Sequence, residues 1–99
     1  MLATVPRRQP TDKPTHPLRQ WRDYYGVSQE ELAERTGLSQ GMISHIERYF
    51  RTPRVDVLKV LLEFTGLPTD ALILPERFLE EQPNFLRKYR RPKRPPKEN

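Results

Sequence analysis

Few side chains in this sequence have the types and spacing that catalysis requires. There is no cysteine, so neither a disulfide framework nor a thiolate metal site can form. His45 has a single histidine companion, His16, distant in the chain. No metal-ligand spacing results. Glu30 and Glu31 are adjacent, and neighbouring positions on a helix do not converge as an acid and a base must. No glycine-rich phosphate loop and no nucleophile with a plausible base occurs. The expectation is a chain that is not an enzyme and carries no metal or cofactor. What remains is the chemistry of binding: amides, hydroxyls and cations around residues 29–54.

The elements that would position those groups are helical. Leu18, Trp21 and Tyr25 stand at i, i+3 and i+7 and make one apolar face, which Gly26 ends. Ser28 offers an N-cap with Glu31 three residues on, the pattern of a capping box. The helix S-Q-E-E-L-A-E-R-T then runs to Gly37, with Leu32 and Ala33 inward. Ser39 caps a third helix with Met42, Ile43 and Ile46 as its apolar positions. Thr52-Pro53 predicts the start of a fourth, a Thr cap followed by Pro at the first helical position. Val57, Leu58, Leu61 and Leu62 form its buried stripe, and Gly66 closes it. Thr69 to Leu74 can form a short fifth helix before Pro75. Residues 76–90 could add one or two amphipathic turns broken near Pro83. No alternating strand pattern appears, so the fold class is all-α.

The second and third helices are joined by T-G-L-S alone. So short a connection forces them to cross steeply, as in a helix-turn-helix. Counted from Gln29, Ala33 is the fifth position, where a larger side chain would clash between the crossing helices. Gly37 is the ninth, where the turn calls for positive φ. Ile43 and Ile46 clamp the third helix onto the second. Each feature is weak alone, but together and at fixed offsets they are specific.

These residues resemble the Cro and phage-repressor type helix-turn-helix family, a lambda repressor-like, five-helix DNA-binding domain. The likeness covers about residues 17–74. It is carried by V-S-Q-E-E-L-A-E-R-T-G-L-S, I-S-H-I-E, P-R-V-D-V-L-K-V-L and T-G-L-P-T-D-A-L. It implies that the third helix enters the major groove and that its exposed residues, Gln40, Gly41, Ser44 and His45, face base edges. A Gln amide can pair bidentately with adenine, which singles out Gln40. Gly41 can only permit close approach, and Met42 would touch a thymine methyl or pack inside. The resemblance also implies phosphate contacts from Gln29 and Ser39 at helix N-termini, and from Arg51 and Arg54 before the fourth helix. It implies that Arg22 and Glu47 form a structural ion pair rather than DNA contacts. Two positions depart from the family pattern. Tyr49 stands where glycine is usual, and a bulky residue resists positive φ, so a different turn shape is expected there. Thr65 replaces an aliphatic core residue.

Charge and composition bound the rest. The chain has 99 residues, 34% of them hydrophobic, with 11 prolines. That allows one small domain with poorly ordered ends. The net charge of +5 favours polyanions, nucleic acid or an anionic surface, without choosing between them. The basic excess sits outside the centre, in a Pro-rich N-terminal segment and in R-R-P-K-R-P-P-K-E-N. The expected organisation is a disordered arm over 1–16, the DNA-binding domain over 17–75, and a basic extension over 76–99. No apolar run could span a bilayer and no secretory signal is seen, so a cytoplasmic bacterial or phage protein is expected. Its expected partner is double-stranded DNA, bound as a homodimer. Leu72, Ile73, Leu74, Phe78 and Leu79 are candidates for the dimer surface. Two other readings stay open: an antitoxin that binds a toxin protein and its own promoter, and a fold retained without DNA binding.

Overall fold

The computed structural model describes residues 13–88. Among them lie seven helices and no strand. They are α1 (Pro17–Tyr25), α2 (Gln29–Thr36), α3 (Gln40–Glu47), α4 (Val55–Thr65), α5 (Thr69–Ile73), α6 (Pro75–Glu81) and α7 (Phe85–Lys88). The fold is therefore all-α. The expected flexible arm and basic tail lie outside the described residues over 1–12 and 89–99.

Local chemistry sets most of the boundaries. Ser28 Oγ accepts from the Glu31 N–H at 2.9 Å, and Ser39 Oγ accepts from the Met42 N–H at 3.1 Å. The Glu31 carboxylate closes on Arg35 at 3.5 Å rather than on the Ser28 backbone, so the capping box is half made. Gly37 ends α2 at φ +81°, its N–H bonded to the Ala33 carbonyl. The fourth helix starts later than Thr52-Pro53 predicts. Pro53 is buried and Arg54 is extended at ψ 170°, so the first helical residue is Val55, and Arg54 makes no side-chain cap.

The core joins all the helices. Leu18 and Trp21 of α1 meet Leu32 of α2, Ile43 and Ile46 of α3, and Val57 and Leu61 of α4. Burying each such aliphatic side chain contributes about 1.5–3 kcal/mol. Trp21 also packs edge-on to Phe64, with ring centroids 5.9 Å apart. Thr65 is accommodated at 0% exposure because its hydroxyl is satisfied locally. It donates to the Leu61 carbonyl at 2.8 Å and accepts from the Leu67 N–H at 3.1 Å. A buried hydroxyl bonded on both sides escapes the desolvation cost.

The extension beyond residue 75 differs from expectation. Phe78 and Phe85 are buried in the same core, with their rings 5.2 Å apart. The chain breaks between α6 and α7 around Pro83, as the sequence indicates. Leu72 and Phe78, read as surface for a second subunit, are thus consumed within the chain, and only Leu74 of the apolar set is well exposed. Residues 14–16 also depart from the reading of 1–16 as a disordered arm. His16 is 2% exposed, and its Nδ1 accepts from the Leu18 N–H at 3.0 Å. With Pro17 at the first helical position, that histidine is the N-cap of α1.

Candidate nucleic-acid interface

α2 and α3 are held at their crossing by three devices: the left-handed Gly37, the inward Ile43 and Ile46, and the half-buried Ala33. That packing leaves one face of α3 outside. Gln40, Gly41 and His45 are exposed on it and Ser44 is half-buried. Met42 is half-buried and packs against the core. A β-carbon built on Gly41 would meet nothing within 4 Å. The fold does not require a glycine there, and the open space lies on the outward face.

Behind this face a polar chain crosses three helices. Arg22 of α1 grips Glu47 with two bonds, Nε to Oε2 at 2.7 Å and Nη2 to Oε1 at 2.9 Å. A third bond ties its Nη1 to the Val27 carbonyl at 3.0 Å. Both side chains are buried. The hydrogen bonds to Glu47 raise the Arg22 pKa further above its ordinary value against the opposing effect of burial. Glu47 Oε1 also accepts from Gln29 Nε2 at 3.0 Å, and Gln29 Oε1 accepts from Gln40 Nε2 at 3.4 Å. The exposed end of α3 is thereby tied, through Gln29, to a fixed ion pair. Gln29 has its side-chain amide turned inward onto Glu47 and Gln40, so an anion at the start of α2 would meet its backbone N–H.

Ser39, Arg51 and Arg54 are exposed. Arg51 Nη1 lies 3.9 Å from Met42 Sδ, beside α3. Arg54 sits at the N-terminal end of α4. Phe50 is exposed beneath Arg48, whose guanidinium carbon is 4.9 Å from the ring centroid, and 5.9 Å from the His45 ring. His45 therefore stands against an aromatic neighbour rather than alone in solvent.

The turn leaving α3 was expected to change shape at Tyr49, and it does not. Tyr49 takes φ +66°. Its N–H bonds to Ile46 O at 3.0 Å, and the Phe50 N–H bonds to His45 O at 2.9 Å. That is the double-bonded C-terminal turn that glycine usually makes, here with a β-carbon in the left-handed region. Such a residue carries about 1–2 kcal/mol of strain. The compensation comes from residues 13–16. Tyr49 Oη donates to the Pro14 carbonyl at 2.9 Å, the His16 ring meets its edge at 5.0 Å, and Lys13 Nζ lies 5.1 Å from its centroid. These contacts span over thirty residues of sequence, and local pattern gives no sign of them. His16-Pro17 is the one local signal, a polar side chain directly before a helix-starting proline.

A family model described as helix-turn-helix matches residues 18–72. The chain belongs to this Cro and phage-repressor type helix-turn-helix family of DNA-binding proteins. No curated protein and no solved structure matches the chain. Among the described residues no helix is long and apolar enough to cross a membrane.

Proposed function

We propose that the chain is a sequence-specific transcription regulator of repressor type that lays α3 in the major groove of duplex DNA. Gln40 reads a base edge, with adenine as the best-matched target, and His45 reads a second position one turn on. Gly41 lets the backbone approach the groove. Ser39, Arg51, Arg54 and the N-terminus of α2 hold phosphates on either side and set the register. Two copies would address half-sites about one DNA turn apart.

The observation that supports this most strongly is the Arg22–Glu47–Gln29–Gln40 chain. A reading side chain must be held in place before it meets the base, since ordering it on binding costs affinity. Selection of bound fragments from a random duplex pool tests the reading, because it returns site, symmetry and spacing together. A recovered motif that loses its discrimination in Gln40→Ala is the expected result. Arg54→Ala should weaken all duplexes alike and shallow the salt slope by about one unit. Absence of binding to any duplex at low salt would overturn the proposal.

A further inference from the structure

The tyrosine at the end of α3 is not needed for the turn it occupies. A glycine would take φ +66° without strain. A β-carbon residue persists in that region only where its surroundings over-determine it. Among the described residues, the hydroxyl bond and ring contacts of Tyr49 come from one short segment, Lys13, Pro14 and His16, with the Glu76 charge acting on the hydroxyl from α6. That segment is itself anchored. His16 caps α1, and Lys13 Nζ lies 3.6 Å from Glu76 of α6. On its other side Tyr49 leads directly into residues 50–54, the stretch without regular structure that carries Arg51 and Arg54 up to α4.

We propose that Tyr49 is a positioning residue, a clasp through which residues 13–16 fix the course of the α3–α4 loop and so the direction in which Arg51 and Arg54 reach a phosphate backbone. The inference rests on the DNA-binding reading, and it adds a part to the binding unit that lies N-terminal to the helices. Phe50 extends the linkage. It is packed by Arg48 and lies against His45, so the same clasp bears on the outward face of α3. Displacing residues 13–16, by a partner or by cleavage, would loosen the grip on phosphates while leaving the helical core in place.

Two variants of the full chain test this. Tyr49→Phe keeps the ring and removes the bond to Pro14. Tyr49→Gly keeps the turn, removes the whole clasp and relieves the strain. The readouts are backbone 15N order parameters of Phe50, Arg51, Thr52 and Arg54 in the free protein, and affinity for a mixed-sequence duplex at low salt. In Tyr49→Gly we expect the order parameters to fall toward the flexible range, below about 0.6. Duplex affinity should drop about 2- to 10-fold, the range that one neutral hydrogen bond supplies. Thermal stability should be equal or higher. Tyr49→Phe should lie between this variant and the parent. A merely structural role predicts the opposite sign, because the unstrained glycine would then bind as well or better. Parent-like order and affinity in Tyr49→Gly overturn the proposal, and so does a loosened loop with undiminished affinity. A parent chain that retains no duplex overturns the DNA-binding reading instead. The order parameters then still decide whether Tyr49 holds the loop.

Discussion

Gln29 accepts a hydrogen bond from Gln40 Nε2 at 3.4 Å while its own Nε2 is engaged at 3.0 Å by Glu47. An amide with both ends occupied has one orientation, because its donor and acceptor are not interchangeable. Gln29 therefore presents an oriented acceptor to the exposed Gln40 amide from behind. Replacing it with leucine should leave the fold intact but free the Gln40 side chain. The expected outcome is lost discrimination between the selected site and its single-base variants, by part of the roughly 1–3 kcal/mol that Gln40→Ala is expected to remove. Competition binding with matched and mismatched duplexes measures it. Undiminished discrimination in Gln29→Leu would reject the positioning role.

Glu47 is the member of this chain with the most to lose. Its carboxylate neutralises a buried guanidinium and carries three hydrogen bonds. Glu47→Ala strands that cation and should cost about 3–5 kcal/mol in urea unfolding. The double variant Arg22→Leu with Glu47→Leu should recover much of that loss. If it is as unstable as the single variant, the loss comes from packing and not from the stranded charge.

Gly41 separates stability from binding. It lies in α3 with no atom near the space a β-carbon would fill. Gly41→Ala should therefore raise stability by about 0.5–1 kcal/mol, the helical penalty of glycine. The added methyl should at the same time weaken binding to the selected duplex if, as proposed, this face of α3 enters the groove. Thermal melts and titrations on one preparation check both signs. A gain in stability with unchanged affinity would place the groove elsewhere.

His16 makes stability depend on pH. Burial pushes its pKa down to about 4, and its Nδ1 must stay unprotonated to accept the Leu18 N–H. The ring of Tyr49 packs against it at 5.0 Å and helps to exclude the water that a charged imidazole would need. The folded pKa lies below the ordinary value of 6.5, so the folded state binds this proton more weakly than the unfolded state does. Its stability contribution is complete above pH 6.5, declines as pH falls, and levels off below about 4. The decline is on the order of 3 kcal/mol at about 1.4 per pH unit. His16→Asn keeps a capping acceptor that does not titrate. Its stability profile should be flatter than the parent's across that interval. Parallel profiles would remove His16 as the cause.

Much of the scaffold is legible in the sequence because its signals are local. Ser28, Ser39, Gly26, Gly37 and Gly66 each act within a few residues, and they mark helix ends correctly. That Gln40, Gly41 and His45 stand exposed on α3 follows from the fixed helix-turn-helix offsets. The misread points are those where a distant partner decides. Thr52-Pro53 carries a start signal, yet the ring of Pro53 is taken up by packing and the helix waits for Val55. Tyr49 looks incompatible with its turn until Pro14 and His16 are brought beside it. Phe78 and Leu72 look available to a partner because the sequence does not reveal that α6 folds back onto α5.

Phe85 is fully enclosed, thirteen positions past the end of the stretch that the helix-turn-helix model matches. A fragment trimmed to that stretch would exchange two phenylalanine rings for water against Leu72 and its neighbours. The smallest autonomous piece of this protein is accordingly expected to be longer than its family signature. A reporter or affinity tag meant to leave folding undisturbed must be joined after α7, not after α5.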